Sequence, residues 1–325
     1  MIHRRHLLGL AAGAAALLSL TGAQAQEPLP VVASFSILAD MTGRIGGDHV
    51  AVSTLVGPGG DAHVFEPTPA DARTLGKAKL LVTNGLGFEG WLPRLVSTSG
   101  FKGETVEAAT GVTPIPFEEG EHDEHAAHDD HAHEGHAHES HDHGGHDHGP
   151  SDPHAWQDLA NGRIYARNIT DALKAADPAN AADYERNGEA YIAEMEALDG
   201  QVRQQLGAIP AAQRKVVTSH DAFGYFGKAY GIQFIAPNGV STESEASAAD
   251  VARIIDQIRA EKIPAVFVEN ISDPRLVERI AAETGARIGG SLFSDSLSEP
   301  GGPAPTYLDM VRHNVSQLVE ALKTS

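Results

Sequence analysis

Short β-branched runs alternate with stretches of helical spacing along most of the chain. Val31-Val32-Ala33-Ser34-Phe35 predicts a strand and Ile37 to Ile45 a helix. Val50 to Val56 predicts a second strand, Pro69 to Ala78 a second helix and Leu80 to Thr83 a third strand. Phe88 to Val96 predicts a helix whose Phe88, Trp91 and Leu95 share one core-facing stripe. Strands and helices in this order call for a parallel sheet covered by helices, because parallel neighbours need a crossover between them.

A long helical tract runs from Leu159 to about Leu206. Asp177-Pro178 breaks it, with Pro in a favourable first-turn position. Gly188 and Gly200 weaken the second piece without ending its pattern; Gly207 and Pro210 end it. A helix of roughly 28 residues reaches about 40 Å at 1.5 Å per residue, the length of a strut. The alternation then resumes. Strands are predicted over Lys215–Thr218, Ile232–Ala236, Ala265–Val268 and Ala286–Ile288, and helices over Ala222–Tyr230, Ala246–Ala260, Pro274–Thr284 and Tyr307–Leu322. The expected fold class is α/β: two α/β lobes with parallel sheets joined by one long rigid helix. Residues 26–175 form the expected N-terminal lobe, 176–207 the linking helix and 208–325 the C-terminal lobe, each lobe large enough to bury its own core. No close internal sequence repeat is visible.

Two stretches stand outside this alternation. Residues 1–25 combine Arg4 and Arg5, an uncharged apolar run from Leu7 to Leu20, and the small-x-small signal Ala23-Gln24-Ala25. They read as a cleaved signal peptide, the run being short for a membrane span. The paired arginines suit twin-arginine export as well as the general secretory route. Residues 118–149 are mostly His, Asp, Glu, Gly and Ala, a composition that cannot bury enough surface to fold unaided. They are expected to be a disordered His-rich loop, and eleven histidines lie between His122 and His148.

Charge narrows the partners. The chain carries −20, and loss of Arg4 and Arg5 makes it −22. Eleven acids lie between Glu118 and Asp147 without one Lys or Arg. Such a balance argues against nucleic acid, which needs a basic face, and suits a cation ligand. With no Cys in the chain there is no disulfide, no lipid attachment through cysteine and no thiolate metal site. A transition metal must here be held by imidazole and carboxylate.

Outside the His-rich run, His49 and His313 read as surface residues. Three others stand beside predicted strands or helices: His63 in GPGGDAHVFEPTP, His154 in DPHAWQD and His220 in VVTSHDAFGYF. His63 and His220 directly follow strands, where ligands bind in open α/β sheets. A fourth donor comes from Asp273, Asp295 or Glu299 on late loops. Gly289 and Gly290, just before Asp295, suit a close backbone turn. Trp156 is expected to pack beneath His154, and Asp221 and Glu66 are candidates to orient an imidazole N–H.

The ordered set GDAHVFEPTP, DPHAWQD, SHDAFGYF and SDSLS resembles the metal-binding subunits of bacterial zinc and manganese ABC importers, the cluster A-I (cluster 9) solute-binding proteins. The resemblance covers essentially the whole mature chain, including the long helix and the His-rich insertion typical of zinc members. It implies His63, His154, His220 and Asp295 as metal ligands, Zn²⁺ as transported ligand, and the periplasm as compartment. It further implies a membrane permease of a zinc ABC importer as partner, a periplasmic metallochaperone as a further candidate, a monomer, and no enzymatic activity. Manganese members generally carry Glu where this chain has His220; imidazole suits Zn, and carboxylate with water suits Mn. The His-rich loop is expected to bind several ions weakly as a capture or sensing arm, because a floppy segment loses roughly 1–2 kcal/mol per residue it orders. The alternatives are a manganese-type member, a zinc hydrolase with an open three-His site, and a buffer or chaperone that uses mainly the His run.

Overall fold

Central strands are apolar on both faces and edge strands are not, and that difference organises each sheet. In the first lobe β1 (Leu29–Phe35) leads to α1 (Ser36–Gly46), β2 (Val50–Val56), α2 (Pro69–Leu75), β3 (Leu80–Thr83), α3 (Leu92–Ser99) and β4 (Glu104–Glu107). The strands are parallel in the order β2-β1-β3-β4. Val31 to Phe35 and Leu80 to Thr83 are buried throughout, whereas β2 alternates and β4 is mostly exposed. The computed structural model of the chain describes residues 27–116, 151–243 and 246–323. The expected signal peptide (1–25) and the whole of the His-rich segment (118–149) lie outside them.

Two features of this lobe differ from the sequence reading. Glu104-Thr105-Val106-Glu107 forms a strand that hydropathy did not suggest, because an edge strand carries charge on its open side. The third helix begins at Leu92, so Phe88 and Trp91 lie in the turn before it rather than on it.

Beyond the undescribed segment, α4 (Leu159–Ala176) and α5 (Ala181–Gly207) are joined by a tight turn at Pro178–Asn180 and pack along each other. Asp158 caps α4 through Ala160 N. The second lobe follows: β5 (Lys215–Val217), α6 (Gly224–Tyr230), β6 (Gln233–Ile235), α7 (Ala248–Glu261), β7 (Ala265–Glu269), α8 (Arg275–Thr284), β8 (Arg287–Leu292) and α9 (Tyr307–Lys323). Its sheet is parallel in the order β6-β5-β7-β8. Both lobes thus use one spatial order, second-first-third-fourth, a repeat of topology without a repeat of sequence. Gly289 and Gly290 do not turn toward the site. They form a bulge in β8, where Val266 faces Ile288 but Val268 faces Ser291, and Gly290 has φ 117°.

The largest core is shared between the lobes, a feature that length did not suggest. One apolar cluster runs from Val31, Phe35 and Leu38 through Tyr165, Met195 and Val202 to Phe223, Tyr307 and Leu322. Helices α1, α4, α5 and α9 pack against one another and supply this shared middle layer. Smaller clusters fill the outer faces, around Leu75, Leu81 and Leu95 in one lobe and Ile254, Val266 and Ile280 in the other. The sheets are held so that the carboxyl ends of β2, β5 and β8 open on one cleft.

Candidate metal site in the cleft

His63 lies on the loop after β2, His220 just beyond β5 and Asp295 on the loop after β8, while His154 precedes the short turn Ala155–Gln157 that leads into α4. The structure brings the four together: one donor atom from each lies within 4.8 Å of all the others. Nε2 of His63 is 3.3 Å from Nε2 of His154 and 3.2 Å from Oδ2 of Asp295. Nε2 of His220 is 3.2 Å from the same oxygen, and Nε2 of His154 is 3.5 Å from Oδ1. Bonds of 2.0–2.1 Å in a tetrahedron place donors about 3.4 Å apart, so these separations fit one dication. His154, His220 and Asp295 are fully buried and His63 is 8% exposed.

Both oxygens of Asp295 and Nε2 of His220 lack a well-aligned hydrogen bond and have only the close contacts among the four donors just described. Buried polar atoms are almost always satisfied, and a cation among the four donors would satisfy these. Asp273 and Glu299, the other candidate acids, are elsewhere: Asp273 is ion-paired with Arg275 at the surface, and Glu299 is exposed. His49 and His313 are half-buried rather than free surface residues. His49 pairs with Asp183 at 2.8 Å, and Nε2 of His313 lies 2.9 Å from the carbonyl of Ser291.

The groups that orient the imidazoles are not the ones the sequence suggested. Oδ1 of Asp152 lies 2.8 Å from Nδ1 of His154. Oε2 of Glu269 lies 2.6 Å from Nδ1 of His220, and its Oε1 accepts from the backbone N–H groups of Ser219 and His220. Asp221 and Glu66 make no such contact; Asp221 N donates instead to the carbonyl of Gly239. Asp152 stands two residues before its histidine, and Glu269 ends a strand on the cleft side, so position alone could have nominated both. Beneath the imidazoles, Phe88 stands edge-on to His63 (4.8 Å between centroids) and Trp156 to His154 (5.3 Å).

Electrostatics inside the cleft favour charge separation. Burial opposes the charge of His154, yet Asp295 and Asp152 outweigh it and hold the imidazole up at about 9. Burial likewise opposes His220, and Glu269 and Asp295 raise it well above the ordinary imidazole value. Burial would raise Asp295, but His154 and His220 hold it well below the usual carboxylate range. The site thus keeps protons on imidazoles that a cation must displace.

A second clamp joins the lobes behind the site. Trp156 Nε1 and Gln157 Nε2, on the turn after His154, both donate to the carbonyl of Ser294, beside Asp295. Asn270 accepts from Ser294 N and donates to the carbonyl of Ser296, so it straddles the carboxylate's backbone.

Two α/β lobes with four convergent imidazole and carboxylate donors between them make a cleft suited to holding one metal ion. The sequence model of the family described as "Zinc-uptake complex component A periplasmic" matches residues 31–321, and the chain belongs to that family. Members are substrate-binding components of transporters. The chain is 33% identical to "Iron-binding protein YfeA" of Yersinia pestis over 306 residues, 94% of this chain and 90% of that one. It is 31% identical to "Manganese-binding lipoprotein MntA" of Halalkalibacterium halodurans, covering 91% and 89%. The fold matches the periplasmic zinc binding protein TroA of Treponema pallidum with a TM-score of 0.79 at 30% identity, covering 91% of this chain and 99% of that one. The relatives thus carry zinc, manganese and iron in their names.

Proposed function

We propose that the chain is the periplasmic zinc receptor of an ABC importer. It binds one Zn²⁺ through His63 and His154 of the first lobe and His220 and Asp295 of the second, and hands the ion to a membrane permease. The observation that carries this reading is the third imidazole. His220 is fully buried and backed by Glu269, so the donor set is three nitrogens and one carboxylate. That set suits zinc, whereas manganese prefers oxygen. Four protein donors leave no open position for an activated water, which speaks against the hydrolase alternative.

Export to the periplasm rests on residues 1–25 and on the family. No helix among the described residues is long and apolar enough to cross a membrane. The His-rich segment is read as an auxiliary capture arm. Its supports are composition and placement: Pro116 and Ser151, which flank the undescribed stretch, pair with each other, and Ser151 and Pro153 line the same cleft as His63.

Competition titration of zinc against manganese tests the metal. Wild-type protein is expected to hold one tight zinc and to prefer it strongly over manganese. The variant His220→Glu is expected to narrow that preference at least tenfold. An unchanged preference in the variant would contradict the role given to the third imidazole.

A further inference from the structure

Among the described residues Asp-x-His occurs twice, and the two carboxylates do different things. In Asp152-Pro153-His154 the carboxylate accepts from His154 N at 2.9 Å and contacts the same histidine's Nδ1. In Asp61-Ala62-His63 the local bond is the same, His63 N to Oδ1 of Asp61 at 2.9 Å. Here the second oxygen does not turn to the imidazole. Oδ2 of Asp61 accepts from Oγ1 of Thr242, in the opposite lobe, at 2.6 Å.

Thr242 lies on the loop after β6. That loop is tied to the His220 loop through Asp221 N and the carbonyl of Gly239, 3.1 Å apart. The Asp61–Thr242 bond therefore connects two ligand loops, one from each lobe. It adjoins the cleft of about 770 Å³ that its neighbours His63, Ser241 and Glu243 line together with Phe88 and Val240. The base of the His63 loop is pinned separately and deeper: Gly59 N donates to the carbonyl of Leu297, and Ser296 Oγ to that of Gly57. Apart from Asp295, no carboxylate comes within ion-pair reach of His63 among the described residues. Its backbone is held by two bonds, His63 N–H to Asp61 Oδ1 and Trp91 Nε1 to the carbonyl of Ala62, and only the first continues into the opposite lobe.

We infer that Asp61 and Thr242 are positioning residues that latch the cleft mouth and set the rate of metal exchange. While the hydroxyl of Thr242 holds Asp61, the carboxylate keeps the His63 backbone against the second lobe. When that bond breaks, His63 is the ligand freed to leave, because His154 and His220 remain braced by Asp152 and Glu269. The inference rests on the reading of the four donors as the cargo site.

The test uses the full mature chain loaded with Zn²⁺ and mixed with an excess of a chromogenic zinc chelator, so that colour reports dissociation. Thr242→Val keeps the side-chain shape and removes the donor; Thr242→Ser restores it. A hydrogen bond to a carboxylate is among the stronger kind. Dissociation is expected to quicken about five- to tenfold in the Val variant and to return most of the way in the Ser variant. Stoichiometry is expected to stay unchanged. A Val variant within twofold of wild type overturns the latch, and so does an equal acceleration in both variants. Wild-type protein that takes up no zinc overturns the latch together with the zinc reading; zinc binding with an unmoved dissociation rate overturns the latch alone.

Discussion

Two buried carboxylates stand behind imidazoles in this cleft, and a third stands among them. Asp152→Asn and Glu269→Gln each keep shape while removing charge, and each is expected to lower zinc affinity by roughly 10–100-fold with one ion still bound. Competition titration measures it. The same groups set the pH response. Burial works against the proton on His154, but Asp295 and Asp152 hold its value at about 9, above the ordinary 6.5. This stabilises the metal-free fold fully below about pH 6.5 and is lost as pH rises through about 9. Metal-free melting temperature is therefore expected to fall over that window while stabilisation by zinc grows. Zinc binding near neutral pH is expected to release more than one proton, measured by calorimetry in buffers of different ionisation enthalpy. The three cleft histidines were legible as candidates because they stood beside predicted strands and helices, away from the run at 122–148. Asp295 was one acid among three until a resemblance singled it out. Asp152 and Glu269 were missed although position could have nominated both as candidates; only the fold shows which acid faces which ring.

Elements were legible where burial wrote a period into the sequence. The central strands and amphipathic helices appear within a few residues of expectation, whereas the edge strand β4 carries Glu104 and Glu107 and was silent. The glycines of α5 show how packing decides what composition leaves open. A methyl at Gly188 would fall against Oγ1 and Cγ2 of Thr170 on α4; at Gly200 it would meet nothing within 4 Å. Gly188→Ala is expected to cost about 1–3 kcal/mol by overpacking, and Gly200→Ala to stabilise by about 0.5–1 kcal/mol through helix propensity. Denaturant melts of the metal-free protein separate the two, and two changes of the same sign would contradict the packing described.

Across the whole molecule, two α/β lobes are joined by the long helix α5, and the middle layer of helices to which it belongs serves both sheets. Length and alternation could not show this, because contacts among α1, α4, α5 and α9 join residues far apart in sequence. On the proposed site, donors drawn from both sides of the cleft would couple metal binding to fold stability. Zinc at 100 times its dissociation constant is expected to add about 2.7 kcal/mol, read as a raised melting temperature. Pro116 and Ser151 pair directly, so a short Gly link can replace residues 117–150 without disturbing the cleft. The most direct measurement is the zinc titration of that shortened chain against a competing chelator. The account predicts one tight ion, at the affinity of the intact protein, abolished by replacing His63, His154 and His220 together. Loss of the tight ion on removing 117–150, or its survival after the triple replacement, would contradict it.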